Sequence, residues 1–109
     1  MDKITTTIRR EPLREIAADR KRVEYREIKP YWVRRLSSVK TPFMLRLING
    51  MQPQSPEVTV LVRQVRRHSP SGHFELYLAK VVDVRHWDLK REQPTRKSSK
   101  PKRLNRTIG

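Results

Sequence analysis

Val58, Val60 and Val62 alternate with Thr59, Leu61 and Arg63, and this period of two, recurring in short runs, restricts the fold more than any other feature of the chain. Alternation sends successive side chains to opposite faces of a sheet, so that each run can bury one face and wet the other. Residues 4–8 alternate apolar side chains with threonine, 23–28 read as a second strand, and 43–48 as a third that ends in the turn pair Asn49 and Gly50. Residues 58–65 make a fourth strand, and 74–84, after the loop 68–73, a fifth and longest. Two short helices interrupt them. Pro12 suits the first turn of one that carries Leu13, Ile16 and Ala17, because proline forfeits no hydrogen bond there. Pro30 opens another over 31–36, with Trp32, Val33 and Leu36 expected to pack inward. Five or six strands with one or two short helices predict an α+β fold built on a small, twisted, barrel-like sheet.

Charge narrows the partner. The chain of 109 residues has 26 Lys and Arg against 11 acids, a net charge of +15 and a pI near 11.3. An excess of this size points to a polyanion, most often nucleic acid. No stretch approaches the apolar length of a spanning helix, and no secretory signal pattern opens the chain, so a cytoplasmic protein without a membrane partner is expected. Without cysteine there is no disulfide framework or thiolate zinc site, and His68, His73 and His86 are too scattered for metal-ligand spacing. No metal or cofactor is expected. The division expected is a domain over 1–89 and a basic tail over 90–109, which holds eight cations and one acid, Glu92. Pro94, Pro101, Ser98 and Ser99 leave the tail too little apolar surface to offset the entropy of ordering, so it reads as a disordered arm. Such an arm grips phosphate without sequence preference and loosens as salt rises.

Chemistry concentrates between Asp19 and Trp32. In an extended segment Glu24 and Arg26 share one face, and Val23, Tyr25 and Glu27 take the other. Lys21 sits at the strand's entry and can lean over Glu24 and Arg26 if the chain bends there. Tyr31 and Trp32 lie close by as stacking surfaces, although Trp32 is also a good core anchor. Arg34, Arg35 and Lys40 follow the second helix as candidate phosphate contacts. Arg63, Arg66 and Arg67 form a further basic cluster, which either extends a binding groove or guards a sheet edge. Trp87 is placed to cap the end of the barrel.

The succession of strand, short helix, DRKRVEYR, KPYW, an apolar strand ending in NG, and ELYLAKVVDV resembles the ASCH family of the PUA-like superfamily over roughly residues 3–89. That family's Gly-x-Lys-x-x-Glu/Thr-x-Arg element is matched in spacing by Lys21, Glu24 and Arg26, with Asp19 where the glycine stands. KRVEYREIKPYW is most similar to members from phage and other mobile bacterial elements. The resemblance implies a pseudo-barrel with a cleft beside the first helix, and RNA as the bound partner.

A related branch of small amidohydrolases removes the acetyl group from N4-acetylcytidine with a lysine, a threonine and a distant glutamate. Lys21 matches the lysine and Glu75 is the candidate for the distant acid, but Glu24 replaces the threonine. A carboxylate cannot stand in for a hydroxyl that attacks or donates. The reading that follows is RNA or nucleotide binding, with DNA a further possibility. Arg26 would grip phosphate, Glu24 accept from a base N–H and Lys21 donate to a base carbonyl. Hydrolysis of a modified nucleoside or of RNA, with Lys21 and Glu24 catalytic, is the alternative.

Overall fold

The computed structural model describes residues 1–95. Five strands form one sheet: β1 (Lys3–Thr7), β2 (Val23–Glu27), β3 (Phe43–Ile48), β4 (Glu57–His68) and β5 (His73–Arg85), in the order β1-β3-β4-β5-β2. β1 runs parallel to β3, and the other pairings are antiparallel. Helix α1 (Arg10–Ala17) follows β1, and α2 (Pro30–Ser37) follows β2. The architecture is therefore α+β, with a sheet curled into a half-barrel.

The curl has a cause in the sequence. After Val62 the next inward valine is Val65, three positions on rather than two, and Arg63 is left without a register partner on β5. The register also slips at Thr59/Val60 and Leu61/Val62. Bulges of this kind raise the local twist and bend the strand that carries them. Phe43, Leu45 and Leu47 of β3, Val58, Val60 and Val62 of β4, and Phe74, Leu76 and Leu78 of β5 form the inner face. Leu13, Ile16 and Ala17 of α1 join the same core, at the spacing of one helical face.

Several expectations need correction. Val33 is 37% exposed, because it lies about 100° around the helix from buried Trp32, and only Leu36, one turn on, shares the inward side. Arg63, Arg66 and Arg67 lie beyond the β3 pairing, which ends at Val62, so this stretch of β4 has β5 on one side and an open edge on the other, and of the two readings the edge guard is the one that fits. Residues 90–95, assigned to the tail, fold back: β6 (Trp87–Asp88) pairs with β7 (Gln93–Pro94), and the turn is held by the Lys90 and Arg91 N–H groups on the Asp88 carboxylate. Glu92 accepts two hydrogen bonds from Arg20, at 2.8 and 2.9 Å, and Arg20 also donates to Glu15 at the end of α1. The rest of the expected arm, 96–109, lies outside the described residues. Trp87 is buried beneath the Arg10 guanidinium at 5.8 Å. Among the described residues no helix is long and apolar enough to cross a membrane.

Asp19 occupies a left-handed conformation, with φ of 62°. The Asp19 N–H donates to the Ile16 carbonyl and the Arg20 N–H to the Glu15 carbonyl, the paired bonds of a Schellman helix end. That position favours glycine, since a Cβ there crowds the following carbonyl. Asp19→Gly is expected to raise stability by about 1 kcal/mol, read by urea unfolding, because the exposed ion pair it removes, Asp19 to Arg22, contributes little. A second expectation concerns pH. The Arg46 guanidinium, 2.6 Å from Glu57, holds that carboxyl below its ordinary 4.5. A depressed folded-state pKa adds stability that is fully present above pH 4.5 and is lost as pH falls through the folded value. Glu57→Gln should therefore flatten the acid limb of the stability–pH curve below about pH 4.5.

Candidate nucleic-acid interface

Because β1 and β2 are the two edges of a curled sheet, they approach without pairing, and the gap between them is a cleft of about 620 Å³. Thr7, Ile8 and Arg9 form one wall, Glu24 to Glu27 the other, and Lys29, Tyr31 and Trp32 of α2 the end. Glu24 stands opposite Leu76 and Arg26 opposite Phe74, which places both on the inner face. Polar side chains thus occupy positions that in β3, β4 and β5 carry core residues.

Glu24 is buried, 6% exposed, and clamped from two sides. Arg26 donates to its Oε2 from Nε at 3.1 Å and pairs through Nη2 at 2.8 Å, while Lys21 Nζ lies 3.7 Å from Oε1. The same Arg26 Nη2 donates to the Thr7 carbonyl at 3.0 Å, so one guanidinium spans the two sheet edges. Its carbon lies 5.2 Å from the centre of the Trp32 ring, and Tyr31 meets Trp32 edge to face at 5.4 Å. Arg26 Nη1 keeps its N–H groups free of any partner among the described residues.

Both helices begin at this cleft. Arg9 caps α1 and Lys29 caps α2, neither with a side-chain hydrogen bond. Cations at a helix start are unusual, since the dipole and the free N–H groups there favour an anion. Arg9 makes no ion pair or side-chain hydrogen bond among the described residues, and Lys29 pairs only with exposed Glu27, whose carboxyl it holds below the usual range. His73 completes the lining, with Nδ1 donating to the Ser71 carbonyl at 2.8 Å, which leaves Nε2 as an acceptor when the ring is neutral.

No family model, curated protein or solved structure matches this chain.

Of the residues expected at the site, Glu24, Arg26 and Tyr31 line the cleft, and Lys21 reaches Glu24 from outside the lining. The bend that brings Lys21 there is the Schellman reversal, which also seats the Lys21 N–H on the Glu15 carbonyl. Arg34, Arg35 and Lys40 do not line it. Arg35 instead donates to the Tyr31 hydroxyl at 2.9 Å and steadies that ring. Arg63 lies over Tyr77, Arg66 stands opposite Glu75, and Arg67 lies over Phe74, all away from the cleft. Glu75 is not in the cleft either; it accepts the Tyr77 hydroxyl at 2.7 Å, and so cannot supply a second acid beside Glu24. Trp32 is both core anchor and cleft wall. Sequence reasoning missed Arg9, Lys29 and His73. The signal for the first two is a basic residue directly before a helix start, where serine or aspartate ordinarily stands.

Removing the Glu24 carboxylate would leave Arg26 and Lys21 facing each other in a largely buried setting. Glu24→Ala is expected to cost about 3 kcal/mol of unfolding free energy at neutral pH, with Glu24→Gln, which keeps an acceptor for Arg26, costing less. Chemical denaturation of the two variants beside the parent protein measures both.

Proposed function

We propose that the chain is a PUA-like, ASCH-type domain that binds RNA by holding one nucleotide in the cleft between the sheet edges. The observation that carries this reading is the buried Glu24, held between Lys21 and Arg26 at the wall of a cavity of about 620 Å³ with Trp32 beside it. A buried ion pair adds little to stability compared with an apolar replacement, so its retention beside an open cavity fits recognition better than scaffolding. The cavity also falls in the size range of small-ligand sites.

In this reading the base lies along the Trp32 and Tyr31 wall. Arg26 Nη1 supplies donors to a base carbonyl or ring nitrogen, a change from the phosphate role read in sequence, because its other nitrogens are already committed to Glu24 and Thr7. Glu24 fixes the guanidinium plane and keeps acceptor capacity for a base N–H. The phosphate sits toward Arg9, Lys29 and the free N–H groups opening α2, where helix dipole and side-chain charge agree. The net charge of +15 draws the polyanion in and makes the encounter salt-dependent. Nothing in the cleft favours hydrolysis, since Glu24 is engaged by two cations and Glu75 lies elsewhere.

Titrating the four ribonucleoside monophosphates into the full chain while following tryptophan fluorescence tests this directly, because a mononucleotide carries too little charge to be held by a basic arm alone. Quenching by at least one nucleotide is expected. Arg26→Ala and Arg9→Ala should each weaken it by about tenfold or more. Failure of all four to bind, or unchanged affinity in both variants at fixed salt, would sink the proposal.

A further inference from the structure

The opposite face of the same sheet carries a second set of aromatic and cationic side chains. The register aligns Tyr25, Glu75 and Arg66 in one cross-strand row, and Val23, Tyr77 and Gln64 in the next outward row. These residues alternate with the core positions Phe74 and Leu76, so their side chains stand outside. Tyr25 is 52% exposed although it sits within a strand. Its ring is met by Lys21 Nζ at 4.9 Å and by the edge of His73 at 6.4 Å. Arg63, freed from register by the bulge, lies 5.5 Å from the Tyr77 ring centre. Arg66 approaches Glu75 only at 3.9 Å.

We infer that this outer face is a stacking platform for single-stranded RNA, which meets the cleft at Tyr25 and leads away from it through Tyr77. Tyr25 and Tyr77 occupy diagonal positions on neighbouring strands, about 7 Å apart along the backbone. That interval suits successive bases of an extended strand, each resting on one ring. Charge agrees with the occupant: Lys21, Arg63 and Arg66 outnumber Glu75, and Lys21 and Arg63 each lie over one face of a ring, so that a base takes the opposite face. The Tyr77 hydroxyl occupies one Glu75 oxygen, and the other is an acceptor for a ribose 2′-hydroxyl, a contact DNA cannot make. A protein partner fits this surface less well, because the patch combines two isolated rings with net positive charge rather than a continuous apolar area.

The platform extends the RNA reading of the cleft but does not require it, and the experiment separates the two. Binding of a uridine ten-mer to the full chain at fixed salt is compared for the parent, Tyr25→Ala, Tyr25→Leu, Tyr77→Ala, and Tyr25→Phe, with mononucleotide titration in parallel. Each of the alanine and leucine variants should weaken the ten-mer by about tenfold. Tyr25→Phe should not, and mononucleotide binding in the cleft should be untouched in Tyr77→Ala, whose ring lies outside the cleft lining. The leucine variant preserves apolar bulk, so it reports on stacking if the alanine variant folds poorly. Ten-mer affinity unchanged by Tyr25→Leu and Tyr77→Ala would overturn the platform. A deoxythymidine ten-mer bound as tightly as the uridine strand would overturn the choice of RNA. Loss of mononucleotide binding alone counts against the cleft and leaves the platform standing.

Discussion

The guanidinium of Arg26 holds together what the sheet leaves open. A five-stranded sheet with β1 and β2 at its edges has no backbone ladder to close it, and the bulges in β4 only bring those edges near each other. One side chain crosses the gap, donating to a carboxylate on its own strand and to the Thr7 carbonyl on the other edge. Fixing that side chain takes a buried anion on one side and an aromatic ring on another, which is what Glu24 and Trp32 provide. The cleft exists because closure is made by side chains rather than by main-chain pairing. A hydrogen-bonded seam between β1 and β2 would leave no room for a ligand.

Much of the fold could be read in the sequence because its signals are local. The alternation of Val58, Val60 and Val62, the apolar spacing of Leu13, Ile16 and Ala17, and the run 43–48 each fix an element without reference to the rest of the chain. The pairing of Lys21, Glu24 and Arg26 was also legible, since all three lie within one turn and one strand. What escaped was the part that depends on distant segments meeting. Thr7 and Arg9 reach the cleft only because β1 inserts parallel to β3, a choice that no local pattern encodes. Residues 90–95 looked like unstructured tail by composition, yet Glu92 finds Arg20 across 72 positions of sequence. The bulge was written in the step from Val62 to Val65, but an unbroken strand is the simpler reading of that run.

The outer face shows how a bulge can convert a structural irregularity into an accessible site. In an unbroken β4, Arg63 would pair in register and its neighbours would alternate without interruption. The extra residue shifts the phase, so that Val65 returns to the core while Arg66 lies outside, and Arg63 is left to cover Tyr77. The same event that curls the sheet into a half-barrel therefore also gathers cations over aromatic rings on its back.

Lys21 stands where the two faces meet, with its ammonium near the Glu24 carboxylate on one side and the Tyr25 ring on the other. A single ammonium cannot serve both neighbours and an incoming phosphate at full strength. Whatever draws it toward the outer face withdraws one of the two cations that hold Glu24, and whatever occupies the cleft alters its freedom to move outward. An occupant of either surface that moved this ammonium would couple the two, and by reciprocity each would then change the affinity for the other by the same factor.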